Sequence, residues 1–385
     1  MANNKIVGLI IIGYVIAIAA LFLYSYTQVD LNLTLSRASV VQTVQKNFQY
    51  VGFYQRPLST LLYVGIIVFL FGLYLAAFTL VQKKILDRKS IWLTVCIIVC
   101  ILIFSYPAAF SYDFFNYMFT AKTILVYHKS PYEVTPLMFV GIDPWVNFMR
   151  WTHLSSAYAP LWILLSLVPY LLGFGYFILI MINMKVLVAL FYLLACRMIE
   201  KILLLKRPQE ATIGLCLFAL NPLIIVETLV SSHNDIVLSA FVLVSLWYVY
   251  KKDMTLAWFW LSMSIAAKLM TMTLVPLFVL KKNIWWMLLA MIAGLIIVVI
   301  RREFLPWYFV WILPFIALQP SHKGIVLASV ILSFGLLISY APYLYIGSFT
   351  SEGQIVKTSI IFIAVISAIF SLLAASLPPP SLKRS

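Results

Sequence analysis

Charge is what this chain has least of. Only 10% of its 385 residues are Asp, Glu, Lys or Arg, and 12 acidic groups face 27 basic ones. A soluble domain carries roughly a quarter of its residues as charges, so that class is excluded. The short polar and apolar alternation of barrel strands is also missing, which excludes a membrane β-barrel. No glycine-rich phosphate loop followed by a Lys-Ser/Thr pair occurs, and the short connections expected on the cytoplasmic side leave no room for a nucleotide-binding domain. Cysteine is confined to Cys96, Cys100, Cys196 and Cys216, all within or at the ends of apolar runs and without metal-ligand spacing, so these are packing residues. There is no internal repeat, which weighs against the two-fold architecture of many transporters.

What remains is overwhelmingly apolar, with 64% hydrophobic residues and a mean hydropathy of +1.04. Runs able to cross a hydrocarbon core of about 30 Å as helices of roughly 20 residues recur along the whole chain. The expected fold is all-α and polytopic, one integral membrane domain over 1–385. Its helices fall near 6–26, 59–82, 91–110, 211–230, 236–250, 284–300, 305–319, 324–346 and 359–377. Residues 1–26 lack a small-residue cleavage site and are expected to stay as the first helix. Lys and Arg are retained on the cytoplasmic side, which places Lys5, Lys83, Lys84, Arg88, Lys89, Arg197, Lys201, Lys206, Arg207, Lys251, Lys252, Lys281, Lys282, Lys323, Lys383 and Arg384 inside. The net charge of +15 is thus a retention signal with affinity for anionic membrane lipids, and no nucleic-acid partner is implied. Residues 27–58 and 111–157 become large external loops, and 378–385 a disordered cytoplasmic tail.

Two stretches strain this topology. Between Lys251-Lys252 and Lys281-Lys282 a single crossing would put the second pair outside, so the segment is expected to rise over Leu256–Ala267, turn at Lys268 and return over Leu269–Leu280. Such a buried turn survives only against protein or a water-filled cavity, so Lys268 should face a cavity opening outward. Tyr158–Ile199 looks like two helices although charge parity asks for an odd number of crossings, and Lys185 within it has no evident role.

Three polar clusters fall on the outer side. Asp113, followed by Tyr117, Ser130-Pro131 and Tyr132, sits at the start of a short amphipathic helix, about 114–127, expected to lie along the interface. A carboxylate at a membrane rim is a functional candidate, and the plainer alternative is that Asp113 caps that helix. Ser231-Ser232-His233-Asn234-Asp235 joins two helices, and alone it is only a polar hairpin turn. Arg301-Arg302-Glu303 precedes Pro306-Trp307-Tyr308, a pattern that snorkelling arginines and an aromatic belt also explain. Together these clusters set cations, Lys268 among them, opposite carboxylates, a combination suited to a phosphate at headgroup level and a base facing it.

The string SYDFFNYMFTAKTILVYHKSPYEVTP, then Tyr158-Ala159-Pro160-Leu161, Asn221-Pro222-Leu223, Ser232-His233-Asn234-Asp235 and Ala267-Lys268, resembles the GT-C polyprenyl-phosphate-sugar-dependent glycosyltransferases. In particular it resembles the bacterial α-1,6-mannosyltransferases. The resemblance covers roughly Phe104 to Pro276, with a softer echo at Pro306-Trp307-Tyr308. Ser130 stands where the family has Asn, and Ala159 where it has Gly; neither change removes a titratable group. Asp113 follows the third crossing whereas many relatives carry the acidic loop after the first, which leaves Asp30 a rival, though Asp30 lacks the tyrosine pattern.

The resemblance implies a GT-C bundle of about 12 transmembrane helices with an external juxtamembrane helical region, in the cell membrane of a cell-envelope pathway. It implies hexose transfer, mannose foremost, from a polyprenyl-phosphate sugar to a glycan or lipid-linked acceptor on the extracytoplasmic face, with inversion. Asp113 would be the base. Lys268, Arg301 and Arg302 would hold the phosphate, His233, Asn234 and Asp235 sugar hydroxyls or the acceptor, and Tyr117, Tyr132, Tyr158 and Tyr308 would complete the substrate site. No cofactor is required, although Asp113, Asp143 and Asp235 could gather a divalent metal. The competing class is a transporter or flippase for lipid-linked sugars, for which Glu227 and Lys185 are the clear mid-membrane charges besides Lys268.

Overall fold

The computed structural model describes residues 2–280, 283–348 and 350–376. Lys281, Lys282 and the expected tail with Lys383 and Arg384 lie outside the described residues, which are helical and contain no strand. The chain runs through α1 (Ala2–Thr27), α2 (Ser39–Gln49), α3 (Arg56–Gln82), α4 (Arg88–Leu102), α5 (Asp113–Leu125), α6 (Pro160–Leu171), α7 (Phe177–Lys206) and α8 (Ala211–Ala219). It continues with α9 (Pro222–Val230), α10 (Asp235–Tyr250), α11 (Met254–Ala267), α12 (Leu269–Val279), α13 (Ile284–Arg301), α14 (Pro306–Ala317), α15 (Lys323–Ile338), α16 (Ala341–Ile346) and α17 (Ser351–Ser376).

Helix starts follow local chemistry. Asp87 accepts a hydrogen bond from the Ser90 amide at 2.9 Å to open α4, and Asp253 caps α11 through the Leu256 amide. Asn221 does the same for α9 through Leu223, with Pro222 at the first helical position. The Asn-Pro pair also ends α8, and α8 and α9 meet at a 48° bend.

Among the described residues six helices are long and apolar enough to cross a membrane, or seven if α8 and α9 form one broken span. The expected count of about twelve is not reached by helices of that length. Five apolar helices, α6, α10, α11, α12 and α14, have only 10–17 residues. At 1.5 Å per residue none of these exceeds about 26 Å, short of the core thickness. Two of them lie inside the bundle: α14 is buried over most of its length, and α10 is buried from Asp235 to Leu246 and contacts both α7 and α11.

The helix pair α11 and α12 breaks at Lys268, whose extended backbone (φ −165°, ψ 127°) separates the two. Tyr158–Ile199 holds two helices, α6 and the 30-residue α7. The expected interfacial helix at 114–127 is corrected: α5 is a core element, buried at every residue from Phe114 to Ala121. Its aromatic side chains pack into the protein, Phe115 on Phe148 and Phe177 and Tyr117 edge-on against Trp162, while Asp113, Asn116, Thr120 and Thr123 face a cavity.

Lys185 gains an explanation. From α7 its ammonium donates to Ser105 Oγ at 2.8 Å and to the Leu229 and Val230 carbonyls at 2.8 and 3.0 Å. Residues 225–230 form a π-helical turn at the end of α9, and the lysine supplies donors to carbonyls left over where that helix stops. Lys185→Met should therefore leave buried acceptors unpaired and cost about 1–3 kcal/mol. The expected outcome is a lower thermal unfolding midpoint in detergent, with Leu190→Met, an exposed position on the same helix, as the unchanged control.

Candidate active site

Four interruptions of helix converge on one cavity of about 1450 Å³. They are the approach to α5 at 109–112, the α9–α10 turn with Asn234, the α11–α12 break at Lys268, and the α13–α14 link from Arg302 to Leu305. Irregular backbone is tolerated at membrane depth where it lines such a space.

Asp113 is the first residue of α5. Its carboxylate caps nothing, since the N-cap position belongs to Tyr112 and no side-chain cap bond forms, so the capping alternative does not describe it. The side chain keeps 23% of its surface, open to the cavity. Burial pushes its pKa up to about 6; Lys268 nearby works downward and Asp235 upward.

Asp235, at the start of α10, is fully engaged on one oxygen. Lys268 Nζ binds its Oδ1 at 2.6 Å, and Trp311 donates its indole N–H to the same atom. The Lys268 ammonium also lies 5.1 Å from the Trp311 ring and 5.8 Å from the Tyr308 ring, within cation–π range. Tyr117 stands edge-on to Tyr158 at 4.7 Å, its hydroxyl in a long contact of 3.5 Å with Asn234 Oδ1. Tyr132 donates to the Tyr158 carbonyl at 2.9 Å. Thus Asp113, Tyr117, Tyr132, Tyr158, Asn234, Asp235, Lys268, Arg302 and Tyr308 are brought together in one wall.

Two candidates are not in that wall. Arg301 is exposed and outside the cavity, because a helix end sends adjacent side chains in different directions and only Arg302 reaches inward. His233 is 1% exposed and lies behind Asp113, stacked on Trp307 with ring centroids 4.0 Å apart. The rival Asp30 is buried in a separate knot, accepting from the Asn32 amide and Tyr112 hydroxyl and paired with Arg150 at 3.6 Å. Asp143 is held by Lys122 at 2.6 Å and by the Tyr127 hydroxyl at 2.8 Å, away from Asp113 and outside the wall. Among the described residues no group of three or more His, Cys, Asp and Glu has metal-binding geometry.

Charge accounting within the wall is selective. Three carboxylates line it: Asp235 pairs with Lys268, Glu303 pairs with Lys357 at 2.5 Å, and Asp113 alone has no Lys or Arg partner among the described residues. Of the four cations there, Arg150, Lys268 and Lys357 are paired, and Arg302 has no acidic partner among the described residues. Residues the sequence did not single out include Trp311, Arg150, Tyr112 and Tyr340; an indole or phenol in an aromatic-rich chain carries no signal that separates packing from polar use. The mid-membrane charges both have fixed partners, Lys185 as described and Glu227 through the Tyr340 hydroxyl at 3.1 Å.

The family model described as alpha-(1->6)-mannopyranosyltransferase, N-terminal domain, matches residues 10–282. No curated protein and no solved structure gives a significant match.

Because Lys268 lowers the Asp113 pKa, Lys268→Met should move the Asp113 titration midpoint above about 6. The carboxylic C=O band in infrared difference spectra, assigned by its loss in Asp113→Asn, measures that midpoint.

Proposed function

The chain belongs to the alpha-(1->6)-mannopyranosyltransferase family, and from that premise we propose a specific reaction. The protein moves mannose or another hexose from a polyprenyl-phosphate donor to a hydroxyl of a glycan or lipid-linked acceptor, with inversion, at the extracytoplasmic face of the cell membrane. One observation carries this proposal: among the described residues the cavity leaves one carboxylate, Asp113, without a Lys or Arg partner and one guanidinium, Arg302, without an acidic partner. An unpaired base and an unpaired cation are what a hydroxyl nucleophile and a phosphate leaving group require.

The acceptor hydroxyl loses its proton to Asp113 as its oxygen attacks the anomeric carbon. The bond from that carbon to the phosphate oxygen breaks, and its electron pair leaves with the phosphate, which Arg302 and Lys268 stabilise. Asp235 is neutralised by Lys268 and so is a poor second nucleophile, which favours direct displacement over a two-step retaining route. Tyr117, Tyr158 and Tyr308 offer ring faces and edges to the sugar, and Asn234 a hydrogen-bonding amide. A lipid donor is supported by the site's setting among apolar helices and by the lack of a phosphate-cradling loop in the sequence.

Purified protein in nanodiscs, given a panel of polyprenyl-phosphate sugars, should consume one of them only when acceptor is present. Turnover with a nucleotide sugar and with no lipid-linked donor would overturn the donor assignment. Asp113→Asn should lower transfer on the order of 10²–10⁴-fold with the fold retained. In the intact enzyme kcat/KM should rise with pH through about 6 and level off above it, because the base must be ionised. Arg302→Ala should raise the donor KM, whereas Arg301→Ala, outside the cavity, should leave it within about twofold.

A further inference from the structure

The α9–α10 turn holds a construction that substrate contact does not explain. His233 is buried, yet neither ring nitrogen makes a hydrogen bond, and Glu227 Oε2 is likewise unpaired. Nε2 of the ring lies 3.4 Å from Glu227 Oε2, and Nδ1 lies 4.0 Å from Asp113 Oδ2. The other Glu227 oxygen accepts from the Tyr340 hydroxyl. An imidazole therefore stands between two carboxylates, one facing the cavity and one sealed in the core.

The local backbone is shaped around this ring. The π-turn at 225–230 carries Glu227, and the His233 amide donates back to the Glu227 carbonyl at 2.9 Å. Ser232 adopts a left-handed conformation (φ +54°) that is uncommon for a residue with a Cβ. Lys185 secures the Leu229 and Val230 carbonyls from below, and Trp307 covers the ring face. Strain and buried unsatisfied groups together point to a working element more than to packing.

We propose that His233 and Glu227 are positioning residues that act through Asp113, holding its carboxylate and taking up the proton it captures. This rests on Asp113 being the base. Asp113 receives the acceptor's proton and passes it to Nδ1 of His233, while the N–H at Nε2 is held by Glu227. The resulting imidazolium lies between two carboxylates, and the proton returns to water through Asp113 once product leaves. The 4.0 Å gap closes to hydrogen-bond length when substrate packs against Asp113, as unliganded catalytic contacts are commonly long. Other groups facing this chain are Lys268 and Asp235, the hydroxyls of Tyr117, Tyr158, Tyr308 and Tyr340 near Asp113, and Tyr63 near Glu227.

Glu227→Gln gives the sharpest test, because the amide copies a protonated carboxyl in shape and keeps an oxygen for Tyr340. His233→Phe keeps the stack on Trp307 and removes both nitrogens. Each should lower kcat at least about tenfold while the donor KM stays within about twofold. Unchanged kcat in Glu227→Gln and in His233→Phe, with Asp113→Asn inactive, would overturn the relay and leave the base in place. Full transfer by Asp113→Asn would remove both. Should Glu227→Gln or His233→Phe fail to fold, Tyr340→Phe, which frees Glu227 Oε1, carries the same kcat readout.

Discussion

The ion pair between Lys268 and Asp235 organises the site. A helix break and a charged side chain are each costly among apolar helices, and here one offsets the other. The ammonium at the α11–α12 break is neutralised by the carboxylate that starts α10, and the Trp311 indole from α14 donates to the same oxygen. Three segments are thereby tied at one point. The cavity lies against that point, so its polar character follows from where the chain could break at all.

Once Asp235 and Lys268 neutralise each other, the remaining charges acquire meaning by subtraction. Asp30, Asp143 and Glu303 each have a cationic partner, which makes them parts of the framework. Asp113 and Arg302 are left facing shared space. The short helices serve the same end: α5, α10 and α14 are too short to span a bilayer alone, and their ends bring polar side chains to the interior of the bundle. The longer helices supply the apolar enclosure, with Lys185 and Glu227 engaged inside it.

Much of this was readable from residue order. The break at Lys268 followed from charge parity between two basic pairs, and α6 and α7 from the hydropathy of 158–199. Asp113 stood out because a carboxylate ends an apolar run beside spaced tyrosines. The character of α5 was not readable in the same way: FFNYMFTAK has an amphipathic look, and whether its aromatic face meets lipid or Phe148, Trp162 and Phe177 depends on segments that lie far along the chain. The same holds for crossing number, since 10–17 apolar residues read alike as a thin span or a buried half-helix.

Local properties, then, were determined by the sequence alone: the apolar class, most of the long helices, the break at Lys268, and the acid that ends an apolar run. These depend on hydropathy and backbone chemistry within a few turns. Tertiary structure decided which charges cancel and which stay available. Lys268 meets Asp235 across 33 positions, Trp311 reaches it across 76, and Tyr340 reaches Glu227 across 113. Electrostatic pairing is set by distances of a few ångströms in space, and separation along a chain carries almost no information about those.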